Sequence, residues 1–155
     1  MASAAKTKDF SEDILQYMAS GQALPVHQGL YIALLSSTPA VRGFGNPPYS
    51  GTEVGTCEVL PGNYRVALGQ NKLVSISEDL DTSSMEIISD GGSIDWPDAP
   101  VNFNVSGYVL CNSQTALTSN SYLAYELFDG TNKGRSINAG DSIKINAAGL
   151  VIKEK

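Results

Sequence analysis

The segment GTEVGTCEVLPGNYRVAL, Gly51 to Leu68, brings Glu53, Cys57, Glu58, Tyr64 and Arg65 close together along the chain. Separated carboxylates are the raw material of acid/base catalysis, as in the pairs that hydrolyse glycosidic bonds. Glu53, Glu58 and Asp95 are the candidates. Spacing alone does not bring them to one point, and solvated loop carboxylates are common, so a structural role is the expectation. A Ser or Cys nucleophile needs a base beside it. The sole histidine, His27 in LPVHQG, would have to supply it, and no GxSxG elbow accompanies it. Asp79 and Asp81 in SEDLDTSS offer oxygen ligands to a hard cation, but without the spacing of a calcium loop. GFGNPP is glycine-rich, yet prolines stand where a phosphate-binding helix would have to begin. Two cysteines, Cys57 and Cys111, are too few for a zinc site. Cys111 lies in GYVLC and reads as a small buried hydrophobe, and both thiols are expected to stay reduced. The NVS triplet at Asn104 matters only in a secreted chain. No catalytic residue, cofactor or metal site is expected.

The elements that must carry these residues begin with a small, polar stretch, residues 1–9, which reads as a flexible arm. A helix follows over 10–20, with Asp9 or Ser11 as its cap and Gly21 as its stop. Phe10, Ile14, Leu15 and Met18 fall on one face of it. GLYIALLS, Gly29 to Ser36, is an apolar run suited to a strand covered on both sides. Residues 38–63 are so dense in proline and glycine that they read as one long loop. Gly51, Gly55 and Gly62 are expected to turn the chain there, and Glu53 and Arg65 to pin the loop by charge-assisted hydrogen bonds.

Short strand-like segments then recur: YRVALG, KLVSIS, MEIIS, VSGYVLC, SYLAYELF, SIKIN and GLVIK. Turn signals such as DGG, DGTNKG and NAGD separate them. The last two read as a terminal hairpin whose Ile143, Ile145, Leu150 and Ile152 share one face. The expected fold is all-β, a single jelly-roll-like β-sandwich over residues 10–155 with one N-terminal helix. Trp96 reads as a core or interface anchor. Tyr31, Tyr108, Tyr122 and Tyr125 lie on expected strands, where their amphipathic rings suit subunit interfaces.

At 155 residues the chain is one ordinary domain with a real core. Only 17% of it is charged, which suits a surface partly covered by partners. A net charge of −6 and scattered basic residues argue against nucleic acid. No apolar run is long enough to span a bilayer, and nothing reads as a signal peptide, so folding in the cytoplasm is expected.

The order LYIALLSSTPA, GTEVGTCEVLPGNYRVAL, SIDWPDAPVNFNVSGYVLCNSQTAL, YLAYELFDG and INAGDSIKINAAGLVIK resembles a group of tailed-bacteriophage virion proteins, tail-fibre-like or capsid decoration proteins. Leu30, Tyr31, Ala33, Leu34 and Pro39 match the first element of that pattern. Gly51, Thr52, Glu53, Val54, Tyr64 and Arg65 match the second, and Ala139, Gly140, Asp141, Ile145, Ala148, Gly149, Leu150 and Ile152 the last. The chain departs from it at CEVLPGN and at DWPDAPVNFNVSG. The resemblance implies a non-enzymatic virion protein: a capsid decoration, or cement, protein that bridges major capsid subunits, most simply as a homotrimer. A tail or tail-fibre component is the alternative it leaves open. A carbohydrate-binding module is a third class, disfavoured by an aromatic content of 8% placed mainly on strands.

Overall fold

A computed structural model describes residues 5–23, 29–36, 50–68, 75–79, 84–88, 92–127, 134–145 and 151–154. The described chain is mainly β, and all of its strand pairs are antiparallel. In chain order it forms β1 (Ala5–Lys6), α1 (Lys8–Ser20), β2 (Tyr31–Leu35), α2 (Gly51–Gly55), β3 (Val66–Ala67), β4 (Ser75–Asp79), β5 (Ser84–Ile88) and β6 (Ile94–Trp96). There follow β7 (Phe103–Val105), β8 (Gly107–Cys111), a 3-10 turn (Ser119–Ser121), β9 (Tyr122–Leu127), β10 (Arg135–Ile137), β11 (Ile143–Ile145) and β12 (Val151–Glu154).

The centre is a five-stranded sheet in the order β1-β9-β8-β2-β3. Its middle strands are apolar on both faces because both faces are covered. Ile32, Leu34, Tyr108, Leu110 and Ala124 pack on one side against Ile94, Trp96, Val105 and Ile137. Those four come from two ribbons, β6–β11 and β7–β10. On the other side Ala33, Leu35, Val109 and Cys111 meet Val54, Cys57, Tyr122 and Tyr125. A bulge sets this face: Leu110 pairs with Ala124 but Cys111 with Tyr122, so Leu123 is the extra residue. Both Tyr122 and Tyr125 thereby point into the second core. A separate sheet, β12-β5-β4, completes the described strands.

Four sequence expectations are revised. The arm expected over 1–9 is engaged from Ala5 onward: Ala5 and Lys6 pair with Tyr125 and Ala124. The helix expected over 10–20 begins at Lys8 and is capped by Thr7, not Asp9 or Ser11. Thr7 takes that role because its hydroxyl accepts from the Phe10 amide and donates to the carbonyl of Tyr122, so one buried side chain serves both helix and sheet. Gly21 ends the helix in the left-handed region, as expected. The loop expected over 38–63 contains α2, which Ser50 and Glu53 hold by a reciprocal capping box; residues 37–49 lie outside the described residues. The expected terminal hairpin does not form. β11 pairs with β6 and β12 with β5. Pairing with β6 sets Ile143 beside Trp96 and Ile145 beside Ile94, against the main core. A lone two-stranded hairpin would be marginal.

Candidate functional site

The sequence CEVLPGNYR folds back on itself. Leu60 and Gly62 both adopt positive φ, and the Asn63 amide bonds the Leu60 carbonyl. That reversal returns Arg65 to Glu58. Arg65 Nε and Nη2 each donate to the Glu58 carboxylate at 2.8 Å, a bidentate pair with both side chains fully shielded from solvent. The Gly62 amide and the Tyr122 hydroxyl donate to the same carboxylate at 3.1 and 2.8 Å. Glu58 thus accepts four hydrogen bonds, the capacity of its two oxygens.

Arg65 reaches further. Its Nη1 donates to the Ser113 carbonyl at 2.8 Å and its Nη2 to the Ala116 carbonyl at 2.9 Å. The guanidinium carbon lies 5.3 Å from the centroid of the Tyr122 ring. One side chain therefore joins α2's exit, the 112–118 loop and β9. Burial alone would lower the Arg65 pKa, but the Glu58 carboxylate outweighs it and holds the guanidinium above its ordinary value. Burial, reinforced by the Glu58 charge, raises the Tyr122 hydroxyl. Burial pushes the Cys111 thiol up to about 12. Cys57 is raised too, by burial, with a partial offset from the Thr56 hydroxyl. Both cysteines are free and buried. Neutral thiols are poor nucleophiles, and the cluster's polar groups already hold one another. Its chemistry is that of a tie between elements.

The other sequence candidates fall in separate places. Glu53 belongs to the α2 cap: its carboxylate accepts from the Ser50 amide at 2.9 Å. Asp95 is exposed on β6 and accepts from the Ser93 hydroxyl. Glu53, Glu58 and Asp95 thus serve three different local structures. Asp79 lies on β4, while His27, Asp81 and the GFGNPP segment lie outside the described residues. Among the described residues no group of three His, Cys, Asp or Glu side chains could hold a metal ion. Asn104 lies on β7 and accepts from the Ser136 hydroxyl.

Trp96 is a core anchor, fully buried, and its indole N–H donates to the Tyr64 carbonyl at 3.0 Å. Tyr64 sets its ring edge-on to Phe103, with centroids 5.8 Å apart. Three of the four tyrosines expected at subunit interfaces, Tyr108, Tyr122 and Tyr125, are buried within the chain instead. The reason is visible at two of them, where a carboxylate meets the phenol inside the protein. Tyr108 donates to Glu126, its cross-strand partner, and Tyr122 to Glu58. Tyr31 is half-buried against the second core. Sequence reasoning missed the Glu58–Arg65–Tyr122 union. Its one legible signal was opposite charge on either side of the Pro61–Gly62 turn.

Asp9 makes a second tie, accepting from the Gly51 amide and from the Ser119 hydroxyl. It fastens the first turn of α1 to the start of α2 and to the 3-10 turn. Among the described residues no helix is long and apolar enough to cross a membrane. No protein-family model matches the chain, and no curated protein matches it.

Proposed function

We propose that this chain is a structural protein of a tailed-phage virion, a decoration or cement protein that works by binding and not by catalysis. One observation carries the reading. The segment behind the resemblance to such proteins, Gly51 to Arg65, is spent on joints: Glu53 caps α2, Tyr64 receives the Trp96 indole, and Arg65 clamps Glu58 to the 112–118 loop. A motif used in this way is the signature of a scaffold. The two-faced central sheet, with the β6–β11 and β7–β10 ribbons over one side, suits a β-sandwich of the jelly-roll kind.

On this reading the chain assembles as a homotrimer on the head and bridges neighbouring major capsid subunits. The surface that meets the capsid is not the strand tyrosines, three of which are buried, but exposed apolar side chains away from the outer stripe of α1: Tyr17, Val101 and Leu117. Weak contacts repeated on a lattice gain from effective concentration. The second reading, a tail or tail-fibre component, uses the same resemblance. Immunogold electron microscopy of phage particles, with antibody against the purified protein, separates them. Gold over the heads is the expected result. Gold confined to tails would favour the second reading, and unlabelled particles would end both.

A further inference from the structure

The helix α1 is docked by its polar edge. At about 100° per residue, Asp9 and Asp13 share one edge of the helix, and Ser11, Leu15 and Met18 lie on the opposite one. Asp9 holds the Gly51 amide and the Ser119 hydroxyl, and Asp13 accepts from the Asn120 side chain at 2.8 Å. No residue of the helix is buried, although Phe10 and Ile14 are half-covered. Leu15 and Met18 are 63% and 75% exposed. A surface helix of a globular protein does the reverse, turning its apolar stripe to the core. On α1 only Phe10 and Ile14 turn partly inward, while Leu15 and Met18 face outward with a half-covered Ser11 in line with them.

We propose that this stripe is covered by the same stripe of a second copy, the two α1 helices crossing antiparallel about a twofold axis beside Leu15. Two features select this occupant. The first is size. The stripe reads small, large, large at Ser11, Leu15 and Met18, so reversing one copy lays each Met18 over the other copy's Ser11 and brings the two Leu15 side chains together at the axis. The second is charge. Lys8 sits exposed in the first turn, where the helix dipole is positive, and no basic residue offsets the negative end in the last turn. An antiparallel copy brings its Lys8 to that negative end, and the arrangement corrects both helices at once. A twofold contact uses one patch twice and closes on itself, so it does not build a trimer. On the virion reading it joins copies from neighbouring trimers; in solution it stands without that reading. The helices are only about 20 Å long, so the contact is smaller than a standard interface and the self-association is weak.

Leu15→Cys tests the geometry directly. The chain's own two cysteines are buried, so residue 15 supplies the reactive thiol. Under mild oxidation with copper phenanthroline, L15C is expected to give a disulfide-linked dimer at least about tenfold faster than Val101→Cys, an exposed position elsewhere. Adding Met18→Glu to L15C should remove that advantage, with far-UV circular dichroism showing the helix intact. In sedimentation velocity the unmodified chain should gain mass with concentration through this contact, while M18E shows no such gain and Lys8→Glu associates more weakly, most clearly at low salt. Cross-linking of L15C no faster than V101C, or an unmodified chain whose mass depends on concentration no more than that of M18E, would overturn the proposal. Neither result depends on where gold falls on a phage particle, so failure here is distinct from failure of the virion reading.

Discussion

Arg65 grips Glu58 through two bonds of 2.8 Å at a point where neither side chain meets solvent. Burying both charges is costly, and their mutual attraction offsets this only because the remaining donors and acceptors are also met. Here the Gly62 amide, the Tyr122 hydroxyl and the carbonyls of Ser113 and Ala116 meet them. The pair therefore works as a joint among three chain segments.

Removing one partner strands the other. Arg65→Met is expected to lower unfolding free energy by about 3–5 kcal/mol, and Glu58→Gln by a smaller amount because an amide still accepts hydrogen bonds. The double change Glu58→Leu with Arg65→Met should cost less than the sum of Glu58→Leu and Arg65→Met made singly, since no charge is left unpaired. Urea denaturation of the four proteins in that cycle measures it. Strict additivity would mean that the two groups do not act together.

Acid should loosen the N-terminal helix before the core. Burial alone would raise the Asp9 pKa, but the Gly51 amide and the Ser119 hydroxyl outweigh it and hold the carboxyl below its ordinary value. A depressed folded-state pKa stabilises fully above the unfolded value of about 3.9, and that contribution is lost as pH falls through the folded one. Protection factors of the α1 amides, taken against intrinsic exchange at each pH, should therefore fall below about pH 4, ahead of those in β2 and β8. Asp9→Asn should already exchange faster at neutral pH and lack that acid step. An unchanged profile in the variant would assign the acid sensitivity elsewhere.

Legibility in the sequence followed how local each cause was. β2 was readable because a continuous apolar run needs only its own residues to show that both faces are covered. Gly21 was readable as a helix stop for the same reason. The start of α1 was not, because Thr7 earns its place as cap through the carbonyl of Tyr122, far along the chain. α2 was hidden among prolines and glycines, being one turn long and held by a capping box and by Asp9. The tyrosines misled: an amphipathic ring reads as an interface residue unless a carboxylate awaits it inside, and Glu126 and Glu58 are assigned to Tyr108 and Tyr122 only by strand register and by the turn at Gly62. β11 chose β6 over its chain neighbour because Trp96 and Ile94 were there to pack against. Partner choice of that kind is a property of the whole core.

Both thiols should resist alkylation in the folded chain. With Cys111 pushed up to about 12, the thiolate fraction at pH 8 is 10^(8−12), about one part in 10,000. Burial of the sulfur slows attack further. Iodoacetamide at pH 8 should label neither cysteine of the native protein on the timescale that labels both in urea, with mass spectrometry as the readout. Cys57, whose pKa is also raised by burial, should become reactive together with Cys111 as the fold is lost, since both pack in the same core. Rapid native labelling of Cys57 alone would show that the α2 region opens independently.

Gly51 and Gly21 separate close packing from backbone strain. Gly51 was expected to turn the chain, but it lies in the first turn of α2, where a Cβ would fall 1.8 Å from the backbone oxygen of Ser119. That oxygen belongs to the 3-10 turn whose Ser119 hydroxyl also holds Asp9, so it cannot withdraw without loosening the tie. At Gly21 a Cβ would meet nothing within 4 Å, and the only obstacle is φ of +70°. Gly21→Ala should therefore cost about 1 kcal/mol, the ordinary left-handed penalty. Gly51→Ala should cost more, about 2–3 kcal/mol, and should also speed exchange in the first turn of α1 through the displaced Asp9. Thermal melts of the two variants rank them. Equal melting temperatures would mean that α2 and the 3-10 turn can move apart freely, and would remove Gly51 from the set of residues that position the helix.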